Sequence, residues 1–436
     1  MVRTDGQLRL SSLGSDLNPG NNLRILQLAC GSGVGLFFGL MFAVPSGYSY
    51  GAAVLFLTAL VCACTPAGRN LRQSTCFSRE DSVLAWVLFA YFLVALASTT
   101  WLGNDFRDLD QPLRAALAVP VLWLLSRVPY DSRWLWGGII MGVTLSVGVA
   151  WWQLYYLGLE RAEGHLNIIH FGNIALVFGA FCAAGVQWAI HLPAVQRHAW
   201  WLAFAVGMGG SGYSMVASGS RGSWVALPTV IALYAIAFLN RRNLAMVTGV
   251  ILAVAVAGAI MFQQPDSRLR IRYEAAVQDI QLFQQGDADT SLGARFVMWH
   301  GALLNIPERL WQGWNMQDYK HRLEERIAEG EVDSLALRFS DNLHNSYFQA
   351  LAFQGVAGLL ALLAVYLVPF WGFCRRLRDR DLAIRAFAYC GAALCSSYML
   401  FSLTQVILRR NNGIMFYVVA LVIIWSAMRM HERRRR

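Results

Sequence analysis

DNLHNSYFQALAFQGVAGLLALLAVYLVPFWGF, residues 341–373, decides the fold class of this 436-residue chain. From Ser346 to Phe373 no side chain is charged, and a helix of that length outruns the roughly 30 Å of hydrocarbon in a bilayer. Working outward, apolar runs of similar character recur at 25–44, 51–67, 82–101, 114–126, 134–157, 170–190, 199–218, 222–239, 244–262, 386–408 and 413–429. With 346–373 they make twelve expected membrane helices, so the expected fold is an all-α integral membrane protein. Composition agrees: 56% of residues are hydrophobic, 14% are charged and the mean hydropathy is +0.43, which excludes a soluble globular domain. The expected organisation is a polar tail 1–24, spans over 25–262, a long polar segment 263–345, spans over 346–429 and a basic tail 430–436.

The basic residues are 35 arginines and one lysine, Lys320, and they set the orientation. With both termini cytoplasmic, the inner segments hold 21 arginines and the short outer loops six, namely Arg107, Arg114, Arg161, Arg221, Arg409 and Arg410. Short loops rich in arginine stay on the cytoplasmic side. The formal charge of +10 is thereby accounted for without nucleic acid as a partner, and the cluster Arg433 to Arg436 is expected to touch anionic lipid headgroups. No small-residue cleavage site follows the polar start, so no cleavable export signal is expected. Six of the eight cysteines sit in apolar runs and two in loops, with no C-x-x-C spacing, so neither a disulfide nor a zinc site follows.

Segment 263–345 is then external. RFVMWHGALLNIPERLWQGW, residues 295–314, spaces Phe296, Trp299, Leu303, Ile306 and Leu310 as a helix does. The charged stretch Asp318 to Arg338 is expected to lie over the membrane surface, and QQGDADTSLG to break the segment in two.

Ionisable groups at a membrane edge are functional candidates, because charge next to hydrocarbon is costly. Arg221 lies in ASGSRGSW, where Gly219 and Gly222 admit a ligand close to the backbone and Ser218, Ser220 and Ser223 add hydroxyls. The motif reads either as an anion site at a helix start or as an arginine reaching for headgroups. Arg295 opens the expected helix with Trp299 one turn on, and by itself reads equally as a surface residue. Arg161 stands between the fifth and sixth spans, in an R-x10-G pattern ending at Gly172 that chance alone would supply. His344, beside Asn345, Ser346 and Tyr347, is titratable near neutral pH and could act as a general base, or the segment could merely cap a membrane helix. The D-x-D pairs Asp108/Asp110 and Asp287/Asp289 admit a divalent metal or a solvated acidic loop. No H-E-x-x-H and no Walker lysine is present, which excludes an ATP-driven machine in one chain, and no cofactor or metal is expected.

Three motifs occur in order: S-G-S-R-G at 218–222, S-L-G-A-R-F-x-M-W at 291–299, and H-N-S-Y-x-x-x-L-x-x-x-G-x-x-G at 344–358. In this combination the chain resembles the O-antigen ligase and polymerase superfamily. The resemblance in architecture covers nearly the whole chain, and at residue level about 218–224, 291–315 and 341–358. It implies a GT-C-like glycosyltransferase of a Gram-negative inner membrane, with its active site facing the periplasm and no metal. It implies that Arg221, Arg295 and, less securely matched, Arg161 bind pyrophosphate, that His344 is catalytic, and that Ser220, Asn345 and Tyr347 support them. The implied partners are an undecaprenyl-pyrophosphate-linked O-antigen as donor, lipid A-core as acceptor, and membrane lipids. A glycan polymerase would use similar chemistry. A transporter is the non-enzyme alternative, although transporters usually carry repeats and broken midplane helices, whereas the candidates here gather at one membrane edge.

Overall fold

The computed structural model describes residues 19–65, 77–240, 244, 259, 262–264 and 267–435. The described residues are helical and contain no strand. In chain order the α-helices are α1 (Pro19–Gly39), α2 (Gly47–Cys64), α3 (Arg79–Leu102), α4 (Asp110–Leu125), α5 (Arg133–Trp151), α6 (Ile168–Trp188), α7 (Ala194–Ser218) and α8 (Arg221–Phe238). There follow α9 (Arg268–Gln284), α10 (Gly293–Asn305), α11 (Met316–Ala328), the single turn α12 (Leu335–Arg338), α13 (Ser346–Cys374), α14 (Leu382–Phe401) and α15 (Asn411–Arg435). Eight of the described helices are long and apolar enough to cross a membrane: α2, α3, α5 with its continuation to Tyr156, α6, α8, α13, α14 and α15. The protein is an all-α integral membrane protein.

Eleven of the expected spans coincide with helices α1 to α8 and α13 to α15, while the one at 244–262 falls almost entirely outside the described residues. Two ends differ from expectation for identifiable reasons. The run 25–44 stays helical only to Gly39, and Pro45, which has no N–H to give the Met41 carbonyl, keeps the turns that follow from continuing as helix. The run 386–408 begins at Leu382, where Asp381 caps α14 with bonds to Ala383 N and Ile384 N, and ends at Phe401. The remainder of the run, 402–408, folds back over the start of α13, where the Ser402 carbonyl accepts from Ser346 N at 2.8 Å.

In a bilayer, helices associate through close packing and hydrogen bonds rather than through exclusion of water. Helix α15 is nearly all buried, with α4 and α14 packed on it. Gly51 brings α2 so near α1 that a Cβ there would stand 2.4 Å from the Gly33 carbonyl. Phe38, Phe178 and Phe416 interlock α1, α6 and α15. Buried tyrosines donate to backbone carbonyls, Tyr398 to Gly413 at 2.9 Å and Tyr417 to Val365 at 2.8 Å. Outward-facing Trp86, Phe89 and Leu93 of α3 are exposed, as suits contact with lipid tails.

The two ends of the bundle differ. At the terminal end, buried Asp81 accepts from the Trp425 indole at 2.8 Å and pairs with Arg433 at 3.1 Å, while Arg376 joins Glu80 and Glu432. At the opposite end, α10 to α12 form a small second core around Val297, Met298, Trp314, Tyr319 and Leu323. Arg326 is buried within it and fully engaged by Asn305, Leu304, Glu308 and Glu331.

This loop-end unit docks into a break in α13. Gly355 has φ 64° and ψ −163°, a conformation only glycine adopts readily. Val356 N donates to the Leu310 carbonyl at 3.0 Å and Trp314 N to the Ala352 carbonyl at 2.8 Å. Any Cβ at 355 would stand 2.1 Å from the Trp311 carbonyl oxygen.

Candidate active site

The α7–α8 junction supplies the floor of the site. Helix α7 ends at Ser218, Gly219 reverses the chain with φ 59°, and α8 starts at Arg221. Ser218 Oγ accepts from Ser220 N at 3.2 Å, and Ser220 Oγ donates to Asn173 Oδ1 at 3.2 Å, which ties the junction to α6. Gly172 makes this approach feasible, since a Cβ there would meet Ser218 Oγ at 2.1 Å. Arg161 closes the far side. Its Nε donates to the Ser218 carbonyl at 2.7 Å and its Nη2 to the Gly219 carbonyl at 3.1 Å, satisfying carbonyls at the negative end of α7. Both ends of the R-x10-G pattern therefore meet at this junction.

Arg221, the first residue of α8, is half-buried and pairs with Asp279 of α9 at 3.4 Å. From the same helix Arg272 reaches over Gly219, its Nε 3.2 Å from where a Cβ would be. Arg295, in the first turn of α10, has no hydrogen bond or ion pair among the described residues, and Arg221, Asp279 and His344 stand in its electrostatic surroundings. Burial and then Arg272 and Arg221 push the Arg161 guanidinium down to about 10. Burial and then Arg221 likewise lower that of Arg295, against Asp279. Four guanidiniums thus share one region with too few carboxylates to neutralise them, and a multivalent anion would relieve their repulsion.

His344 lies within electrostatic reach of Arg295. Asn342 Oδ1 accepts from its backbone N–H at 3.0 Å, which holds it at φ 48° in the left-handed region, where a non-glycine residue is uncommon. Its Nδ1 is buried without a hydrogen-bond partner among the described residues. Burial first, then Arg295, hold its pKa below the ordinary imidazole value, with Gln405 and Asp341 acting the other way and Arg410 adding to the depression. The imidazole is therefore neutral at neutral pH, the form a general base needs.

Of the residues expected from sequence, Arg161, Arg221, Arg295 and His344 form one electrostatically linked group, and Ser220 lies beneath it. Asn345 and Tyr347 turn elsewhere. Asn345 Oδ1 caps α13 by accepting from Tyr347 N and Phe348 N, and the Tyr347 hydroxyl donates to the Met399 carbonyl at 2.8 Å. They fix the backbone under His344 rather than face the arginines. Arg272, Asp279 and Asn173 escaped the sequence reading. Arg272 and Asp279 sit on the solvated-looking helix RLRIRYEAAVQDIQ without a motif of their own, and Asn173 in an apolar run. Among the acidic pairs, Asp110 binds Arg114 at 2.8 Å, Asp108 meets Arg409 at 3.4 Å, and Asp287 accepts from Asp289 N.

These features define a class: a multi-pass membrane protein with a cluster of arginines and a neutral histidine at one end of its bundle. Residues 203–363, which carry Arg221, Arg272, Arg295 and His344, match the family described as O-antigen ligase. An O-antigen ligase of Escherichia coli is 21% identical over 77% of this chain and 80% of its own length. An uncharacterized protein of Haemophilus influenzae is 26% identical over 89% of this chain and 96% of its own. Over these residues the chain is similar to O-antigen ligases.

Proposed function

We propose that the protein transfers O-antigen polysaccharide from undecaprenyl pyrophosphate to a sugar hydroxyl of lipid A-core, on the periplasmic face of a Gram-negative inner membrane. The observation that carries this reading is the cluster of Arg161, Arg221, Arg272 and Arg295, with a neutral His344 next to Arg295. Arginine grips phosphate oxygens at two points, and in a water-poor site that charge stabilisation suffices for pyrophosphate to leave. The anomeric C–O bond to pyrophosphate breaks as the acceptor oxygen bonds to the same carbon. His344 takes the acceptor's proton, and the leaving group departs as undecaprenyl pyrophosphate. Attack opposite the leaving group inverts the anomeric centre. The reading places both termini in the cytoplasm, segment 263–345 in the periplasm, and no metal or cofactor in the reaction.

Purified full-length protein, incubated with lipid-linked O-antigen and lipid A-core in EDTA, tests this directly. The expected product is glycan-modified lipid A-core with an inverted linkage. Elongated lipid-linked glycan with untouched lipid A-core would make it a polymerase, and activity regained only with magnesium or manganese would bring Asp108, Asp110, Asp287 and Asp289 into the mechanism.

A further inference from the structure

The terminal end of the bundle holds a second cavity that glycan transfer does not use. It lies where the start of α1, the α4–α5 turn and the last turn of α15 meet, and Arg24, Arg133, Arg434 and His431 line it. The side chains of Arg24 and Arg434 have no hydrogen bond or ion pair among the described residues, and Arg133 holds only the neutral Gln196, at 3.1 Å. Asp131 is the carboxylate lining the cavity, and its Oδ1 accepts from Arg133 N at 2.9 Å. Tyr130 lines it too, only 3% exposed, and its buried hydroxyl has no hydrogen-bond partner among the described residues.

The cavity continues into a groove between α1 and α5, sharing Asp131, Arg133 and Trp134 with it. Away from those shared residues the groove is apolar and shallow-walled, formed by Gly35, Leu36, Gly137, Gly138 and Met141 with Ser32. Gly137 keeps it open, since a Cβ there would meet nothing within 4 Å. Both helices are apolar along this length, so the groove runs where lipid tails lie.

We propose that cavity and groove together bind one anionic phospholipid, its phosphodiester among Arg24, Arg133, Arg434 and the Tyr130 hydroxyl, and one acyl chain along the groove. Three arginines beside one carboxylate call for an anion. The apolar continuation distinguishes a lipid from free phosphate, which shares the headgroup chemistry but would leave the groove empty.

The test is native mass spectrometry of delipidated full-length protein, titrated with phosphatidylglycerol, with phosphatidylcholine of the same chains, and with inorganic phosphate as competitor. Phosphatidylglycerol is expected to bind at least about tenfold more tightly than phosphatidylcholine and to resist equimolar phosphate. Arg133→Gln/Arg434→Gln should lose about that factor, with lipid-free thermal unfolding unchanged; should the pair unfold, Arg434→Gln alone, at the exposed helix end, carries the same test. Gly137→Leu, which fills the groove, should weaken binding with all three arginines present. Equal binding of the two lipids, displacement by equimolar phosphate, or wild-type binding by either the arginine or the glycine variant would overturn the site.

Discussion

The indole N–H of Trp299 donates to the carbonyl of Leu343 at 2.8 Å. Trp299 lies one turn beyond Arg295 in α10, and Leu343 immediately precedes His344, so this bond fixes the spacing between the arginine and the histidine. Edge-to-face contact of Trp299 with Phe348, at 6.0 Å between centroids, backs it from α13.

Trp299→Phe keeps the ring contact and deletes the donor. Leaving that carbonyl unpaired costs about 1–3 kcal/mol locally, and small misplacement of reacting groups is amplified in rate. We expect kcat to fall by about 10-fold or more with little change in donor binding. Wild-type kcat would show that the spacing is set elsewhere.

His344→Ala is expected to abolish transfer, by about 100- to 10,000-fold, while expression and membrane insertion persist. Gln should fail as well, since it can hydrogen-bond but not accept the proton. A well-expressed variant with near-normal turnover removes the general base from the mechanism.

The pKa of His344 gives a signed pH dependence. Burial and Arg295 hold it below 6.5, so the base stays unprotonated, and transfer should persist, until the pH falls beneath that value. Arg295→Gln removes a cation, which favours imidazolium and raises the pKa. Carbon-detected NMR of labelled histidine should record that upward shift even in an inactive variant; a downward or absent shift contradicts the pairing of these residues.

Arg221→Lys and Arg295→Lys keep the charge but lose the planar two-point grip, and each should lower kcat/KM about 100-fold. Full turnover with lysine at both positions would reduce the arginines to net charge. Arg161→Lys should differ, lowering thermal stability along with activity, because Arg161 also binds the Ser218 and Gly219 carbonyls.

Gly355→Ala should destabilise the protein by roughly 1–3 kcal/mol or more, because its Cβ would strike the Trp311 carbonyl and undock the loop-end unit from α13. Limited proteolysis is the measurement: cleavage within 285–292 should rise. Unchanged protection would mean the break in α13 tolerates a side chain.

Fold class was legible in the sequence because membrane spans declare themselves locally. A run such as Ser346 to Phe373 must close its hydrogen bonds within itself, whatever its neighbours are, so apolar length alone reveals it. The grouping of arginines was legible for the same reason: charge cannot stay in hydrocarbon, and Arg376 and Arg433 meet at one end while Arg161, Arg221 and Arg409 lie at the other. Helix ends were less so, since Leu40 to Val44 and Ser402 to Leu408 continue apolar runs but turn, the first ahead of Pro45 and the second against α13.

The candidate site was legible where a motif carried it, at Arg221, Arg295 and His344, and Arg161 was found by position between spans. Tertiary structure decided the rest. Arg272 enters only because α9 lies over Gly219, and Gly172 matters only because Ser218 packs against it. Asn345 and Tyr347, neighbours of His344 in sequence, turn away from the arginines because a helix start directs one side chain to its own amides and another into the bundle. Apolar length and charge act over a few residues and are written in order along the chain. The gathering of guanidiniums from α8, α9, α10 and the α5–α6 loop, with Arg295 among them beside His344, depends on which helices pack together, and that is fixed by contacts between residues far apart in sequence.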